Sequence, residues 1–119
     1  MATHTELGNK GEQLAVSHLE KNGYTILERN YRFQKAEIDI IAQQENIVAI
    51  VEVKTRTSAD FGNPEDFVSP KKVKLLVKAA DEYITSNDLD VEVRFDIIAI
   101  LHEKNDITIK HLEDAFYHF

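Results

Sequence analysis

The sequence predicts an α/β fold, a mixed central sheet with a helix on each side in the order αβββαββ, and three features carry that expectation. Residues 46–51 and 95–101 are apolar almost throughout, the pattern of strands covered on both faces. The polar link Gln43-Gln44-Glu45-Asn46 joins the first of these runs to a preceding β-forming stretch, and so short a connection implies an antiparallel hairpin. Two further segments, residues 5–22 and the one opening at Ser69-Pro70, place apolar residues at helical spacing. At 119 residues the chain is expected to form one domain, residues 1–119, with a core large enough to need no staples.

The first helix carries Leu7, Gly11, Leu14, Ala15, His18 and Leu19 on one face and stops at Gly23. Glu12 lies beside that stripe, either as a solvated carboxylate or as one that faces a site. Residues 24–30 alternate weakly and read as a short strand leading into the polar segment 30–35. There Arg29, Arg32 and Lys35 interleave with Tyr31 and Phe33, which suits either phosphate contact with base stacking or a solvated loop with two anchoring aromatics. In the next strand, residues 36–42, alternation places Glu37, Asp39 and Ile41 on one face and Ile38, Ile40 and Ala42 on the other.

The central run Asn46-Ile47-Val48-Ala49-Ile50-Val51-Glu52-Val53-Lys54-Thr55-Arg56 turns charged only at its end. Glu52 and Lys54 share a face, and charges at the mouth of a core are either a structural ion pair or a working site. Across the hairpin Asp39 falls at the height of Glu52, so the two carboxylates converge if they face the same side. Converging oxygen donors near a lysine suit Mg²⁺ or Mn²⁺, which keep waters for a phosphate substrate.

A polar loop, residues 55–68, is long enough to be functional or mobile. Ser69-Pro70 then caps a helix whose apolar stripe is Val73, Leu76, Val77, Ala80 and Ile84. Lys71, Lys72, Lys74 and Lys78 crowd its start, against the helix dipole, either as a phosphate-facing patch or as a solvated face. Residues 91–101 form the next strand, residues 107–110 a last one, and residues 111–119 a tail with Leu112, Ala115, Phe116 and Phe119 available to pack.

Composition narrows the function. The chain has no cysteine, which excludes disulfides, thiolate metal sites and a cysteine nucleophile, and its five histidines show no paired ligand spacing. No basic leader followed by an apolar core, and no membrane-length apolar run, is present, so a soluble cytoplasmic protein is expected, without a membrane partner. The net charge of −7 argues against a non-specific nucleic-acid coat. It is carried wholly by the last third: residues 1–78 hold 11 basic and 11 acidic residues, residues 79–119 hold 3 and 10.

An aspartate on the second strand followed by Glu-x-Lys on the third, here Asp39 with Glu52-Val53-Lys54, resembles the PD-(D/E)xK, restriction-endonuclease-like nucleases. More closely, the chain resembles the uncharacterised bacterial YraN-like family through Gly8-x-x-Gly11-Glu12, Glu37-Ile38-Asp39, Val51-Glu52-Val53-Lys54-Thr55-Arg56, Phe61-Gly62-x-Pro64, Arg94-Phe95-Asp96 and Ala115-Phe116. Archaeal Holliday-junction resolvases have a similar layout with a glutamate in the first helix, which brings Glu12 toward the site. Two departures are visible: Ile38 stands where a proline can precede the aspartate, and Ala36 where glycine is expected. The resemblance implies a Mg²⁺- or Mn²⁺-dependent nuclease acting on DNA, branched or otherwise structured. Asp39 and Glu52 would bind the metal, Glu12 or Glu37 would add a ligand or orient a metal water, and Lys54 would position or deprotonate the attacking water. Arg56, Lys71, Lys72, Lys74 and Lys78 would contact the nucleic acid, and a homodimer would suit a two-armed substrate. The alternative is a non-catalytic nucleic-acid-binding or protein-interaction module of the same fold, with the acidic last third as partner surface.

Overall fold

A computed structural model describes residues 4–57 and 68–115. Most of the loop read as functional or mobile, with Phe61, Gly62 and Pro64, lies outside the described residues, as do Phe116 and Phe119. Within them the elements run α1 (His4–Lys21), β1 (Thr25–Phe33), β2 (Ala36–Gln44), β3 (Ile47–Arg56), α2 (Pro70–Ser86), β4 (Glu92–Glu103) and β5 (Asp106–Leu112), the order expected.

The five strands lie in the sheet in chain order. Every pairing is antiparallel except β3 with β4, whose parallel contact is made possible by the α2 crossover. Gly23, at φ 89, turns the chain out of α1, as its position after the last apolar residue predicts. The β2–β3 hairpin turns at Glu45, which takes a left-handed φ of 56.

Each face of the sheet has its own helix. Ile38, Ile41, Val48, Ile50, Phe95 and Ile97 pack with Leu76, Ala79, Ala80 and Tyr83 of α2. Ile40, Ala42, Ala49, Val51, Ile98 and Ile100 pack with Ala15, Val16 and Leu19 of α1. Burying each such aliphatic side chain contributes about 1.5–3 kcal/mol, so the β-branched run of β3, covered on both faces, anchors the molecule. Among the described residues no helix is long and apolar enough to cross a membrane.

The structure corrects three local expectations. The segment 30–35 is no loop through its first part, because β1 continues to Phe33 and pairs Tyr31 with Ile38, Arg32 with Glu37 and Phe33 with Ala36. Tyr31 and Phe33 consequently pack against the α2 core, Tyr31 edge-on to Tyr83 at 5.2 Å, and are not presented for base stacking. In α2 the buried positions are Leu76, Ala79, Ala80 and Tyr83, whereas Val73, Val77 and Ile84 are only partly buried.

The third correction positions the site. Strict alternation along β2 puts Ile38 and Ile40 on one face, yet Ile38 packs with α2 and Ile40 with α1. The reversal falls at Asp39. Directly across in β1, between the pairs Arg29–Ile40 and Tyr31–Ile38, stands Asn30 with a left-handed φ of 53. Asparagine is among the few residues that tolerate that conformation, and it marks the place where both strands swap faces.

Candidate active site

The regular β2–β3 pairing ends at Ile40 with Val51, and beyond it the two strands part. Asp39 sits in this fork. Its Oδ2 accepts a hydrogen bond from the Val53 backbone N–H at 2.8 Å, so the carboxylate takes the place of the next ladder partner. The side chain is therefore held between the two faces of the sheet. It lines a cleft of about 420 Å³ with Gly8, Glu12, Asn30, Glu37 and Lys54, and a second of about 310 Å³ with Lys35, Glu37, Glu52 and Lys72.

Glu52 follows Ile50 on the α2 side and is only 5% exposed. Its Oε1 accepts from Lys72 Nζ at 2.5 Å and lies 3.5 Å from Lys54 Nζ. Glu52 and Lys54 thus share a face as the alternation predicts, but the nearer partner is a helix lysine. Lys72 stands in the first turn of α2, where its backbone N–H is capped by Ser69 Oγ at 3.2 Å and no acidic residue of the helix offsets the dipole. Glu52 supplies from the sheet the anion that this helix start lacks.

Burial and the charge of Glu52, with a smaller push from Glu12, raise the Asp39 carboxyl to about 7, although the Val53 N–H and the Lys72 ammonium oppose the shift. A carboxyl that resists ionisation through burial first and a neighbouring carboxylate second is one whose charged form a cation between the two would favour. Among the described residues no three Asp, Glu, His or Cys side chains converge into a metal-holding group. The oxygen donors of Asp39 and Glu52 do suit a hard cation that keeps its waters, with Lys72 as competitor at Glu52.

The remaining candidates divide. Glu12 lines the larger cleft, accepts from Asn30 Nδ2 at 3.0 Å and pairs with Arg29 at 3.5 Å. Its approach depends on Gly11, since a Cβ there would collide with the Thr55 side chain. Glu37 lines both clefts, half-exposed and paired with Arg32 at 2.7 Å. Arg56 is exposed at the rim of the larger cleft. Lys71, Lys74 and Lys78 form an exposed i, i+3, i+7 stripe on α2, and of the four helix lysines only Lys72 reaches the carboxylates. Sequence reasoning missed Asn30, whose signal was its tolerance of a left-handed turn, and the Lys72–Glu52 pair, which has no signal in spacing.

Arg94 and Asp96 belong to a different place. Asp96 is fully buried; Arg94 donates to both its oxygens at 2.9 Å, His111 Nε2 lies 2.7 Å away and the Asp114 N–H donates at 3.1 Å. Arg94 also reaches the Tyr24 hydroxyl at 2.5 Å and Glu113 at 3.1 Å. The network ties β4, the end of β5 and the start of β1 together, with every buried side-chain polar atom among the described residues paired.

Residues 11–100 match the family described as uncharacterised protein family UPF0102. A UPF0102 protein of Flavobacterium psychrophilum is 65% identical over 119 residues, covering all of both chains. One from Christiangramia forsetii is 56% identical over the same full length. One from Phocaeicola vulgatus is 44% identical over 117 residues, covering 98% of this chain and 97% of its own.

Proposed function

The chain belongs to the uncharacterised protein family UPF0102, and we propose that this member is a divalent-metal-dependent nuclease that hydrolyses phosphodiester bonds in DNA, with branched or otherwise structured DNA as the substrate class. One observation carries the reading: two carboxylates, Asp39 and Glu52, oppose each other at the open end of a sheet with Lys54 and Lys72 beside them, in clefts that open to solvent. Mg²⁺ or Mn²⁺ held by Asp39 and Glu52, with Glu12 in reach through water, would polarise the phosphate and lower the pKa of a bound water.

The protein's own groups have definable parts in this chemistry. The Val53 N–H fixes Oδ2 of Asp39 at 2.8 Å. Lys54, 19% exposed beside Glu52, supplies a positive charge for the equatorial oxygens of a pentavalent phosphorus and a proton donor to orient the attacking water. Glu12, braced by Asn30 and Arg29, holds its carboxyl at the wall of the cleft that Asp39 and Lys54 also line. The start of α2 offers its backbone dipole, and the exposed stripe of Lys71, Lys74 and Lys78 along its first three turns offers ammonium groups, to the nucleic-acid backbone.

The test is incubation with supercoiled, linear and four-way-junction DNA in Mg²⁺ and in Mn²⁺, beside Asp39→Ala and Glu52→Gln. Cutting by the wild-type protein that both substitutions abolish supports the nuclease. A second reading, a binding module that does not cut, is favoured by the engagement of Glu52 Oε1 with two lysines. Tight DNA binding that survives Asp39→Ala, with no cleavage in either metal, would establish it.

A further inference from the structure

Lys72 occupies an odd position for a DNA-contacting lysine. It is 38% exposed, enough to reach solvent, yet its ammonium lies on Glu52 Oε1, a carboxylate with only 6% of its side chain exposed. It lines the same cleft as Asp39 and Lys35. The lining of that cleft sets Glu37, Asp39 and Glu52 against Lys35 and Lys72, and Lys54 lies 3.5 Å from Glu52, so the carboxylates carry no excess of negative charge, and a divalent cation entering meets two ammoniums already on the oxygen it needs. A phosphodiester entering alone meets the half-buried carboxyl of Asp39 and the buried carboxylate of Glu52. Each ligand by itself is opposed by charge, whereas the two together are not.

We propose that Lys72 is a counterion switch within this site, in which an incoming phosphodiester draws the Lys72 ammonium off Glu52 and so frees the carboxylate oxygen for the divalent cation. The inference rests on the metal-site reading above and adds to it an order of events: cation and phosphodiester bind cooperatively, because each releases the group that blocks the other. The lysine's place in the first helical turn lets its side chain swing while its backbone stays capped by Ser69. Lys54 does not duplicate the device, being 1 Å farther from Glu52 and half as exposed. Linkage makes the effect reciprocal, with couplings of this kind commonly on the order of tenfold in affinity.

Binding rather than turnover tests it. Mn²⁺ titrations followed by electron paramagnetic resonance would be run on wild type, Lys72→Met and Lys72→Arg, each with and without a short phosphorothioate DNA duplex, after thermal melting has established that all three fold. Wild type should bind Mn²⁺ weakly alone and about tenfold more tightly with the duplex. Lys72→Met should bind Mn²⁺ alone about as tightly as wild type does with DNA, and gain little from the duplex. Lys72→Arg should retain the coupling. Equal Mn²⁺ affinity in wild type and Lys72→Met, or equal enhancement by DNA in both, would overturn the switch while leaving the metal site in place. Absence of Mn²⁺ binding in all three, with Asp39→Ala giving the same trace, would overturn the metal site and the switch together.

Discussion

Replacing Asp39 by Asn isolates the electrostatic cost of the strand fork. The amide oxygen can still accept from the Val53 N–H, so the backbone contact survives while the ionisable group disappears. In the folded protein Asp39 titrates at about 7, against an ordinary value of 3.8, because burial and Glu52 disfavour its charged form. Between those pH values the folded state holds a proton that the unfolded chain has lost. Stability from this group is therefore fully present below pH 3.8 and falls as pH rises toward 7. Over the span from pH 5 to 8 about two protonation units are traversed, which at 1.36 kcal/mol each removes between about 2 and 3 kcal/mol from the wild type and nothing from the variant. Urea unfolding in the presence of a chelator, at pH 5, 6, 7 and 8, measures the difference between the two curves, and all other titrating groups cancel to the extent that they are uncoupled from Asp39. Asp39→Asn should gain on wild type steadily up to pH 7 and then level off, with a relative rise in Tm of roughly 10 °C across the range. Stability profiles that run parallel from pH 5 to 8 would refute the argument that Asp39 is a strained, desolvated carboxyl.

Three other expectations follow from the same geometry. Lys54→Met should unfold within about 1 kcal/mol of wild type, because Lys72 remains on Glu52, while any DNA cleavage disappears; loss of folding with intact activity in the residual folded fraction would reverse the assignment. Gly11→Ala should lose about 1–3 kcal/mol by urea denaturation, since its Cβ meets the Thr55 side chain, and Thr55→Ala in the same chain should recover part of that loss. Asp96→Asn should destabilise by about 3 kcal/mol or more at neutral pH by leaving Arg94 without its carboxylate. Burial alone would raise the Asp96 pKa, but hydrogen bonds from His111, Arg94 and Asp114 hold it below 3.8, so its stabilisation is present above that pH and lost as pH falls through the depressed value. The variant's acid-unfolding curve should be correspondingly flatter.

Residue pattern alone determined the element order, the β2–β3 hairpin within a sheet of mixed direction, and the two-sided burial of β3, because these follow from which side chains can leave water and how short a link can be. It also placed Glu52 and Lys54 on one face, a consequence of strand alternation that β3 obeys from Val48 to Glu52. Alternation failed at Asp39 because it assumes a regular strand. The face reversal depends on Asn30 across the sheet, a residue of another strand whose register no local pattern fixes. For the same reason Tyr31 and Phe33 read as loop aromatics until pairing with β2 turned them into α2's core. The Lys72–Glu52 contact was the least legible: it joins a helix start and a strand end 20 residues apart, and only the packing of α2 over the sheet decides which of four successive helix lysines lies above the carboxylate. Sequence supplied the charges, and tertiary packing decided which of them neutralise one another, because Coulomb energy depends on distances that chain spacing does not set.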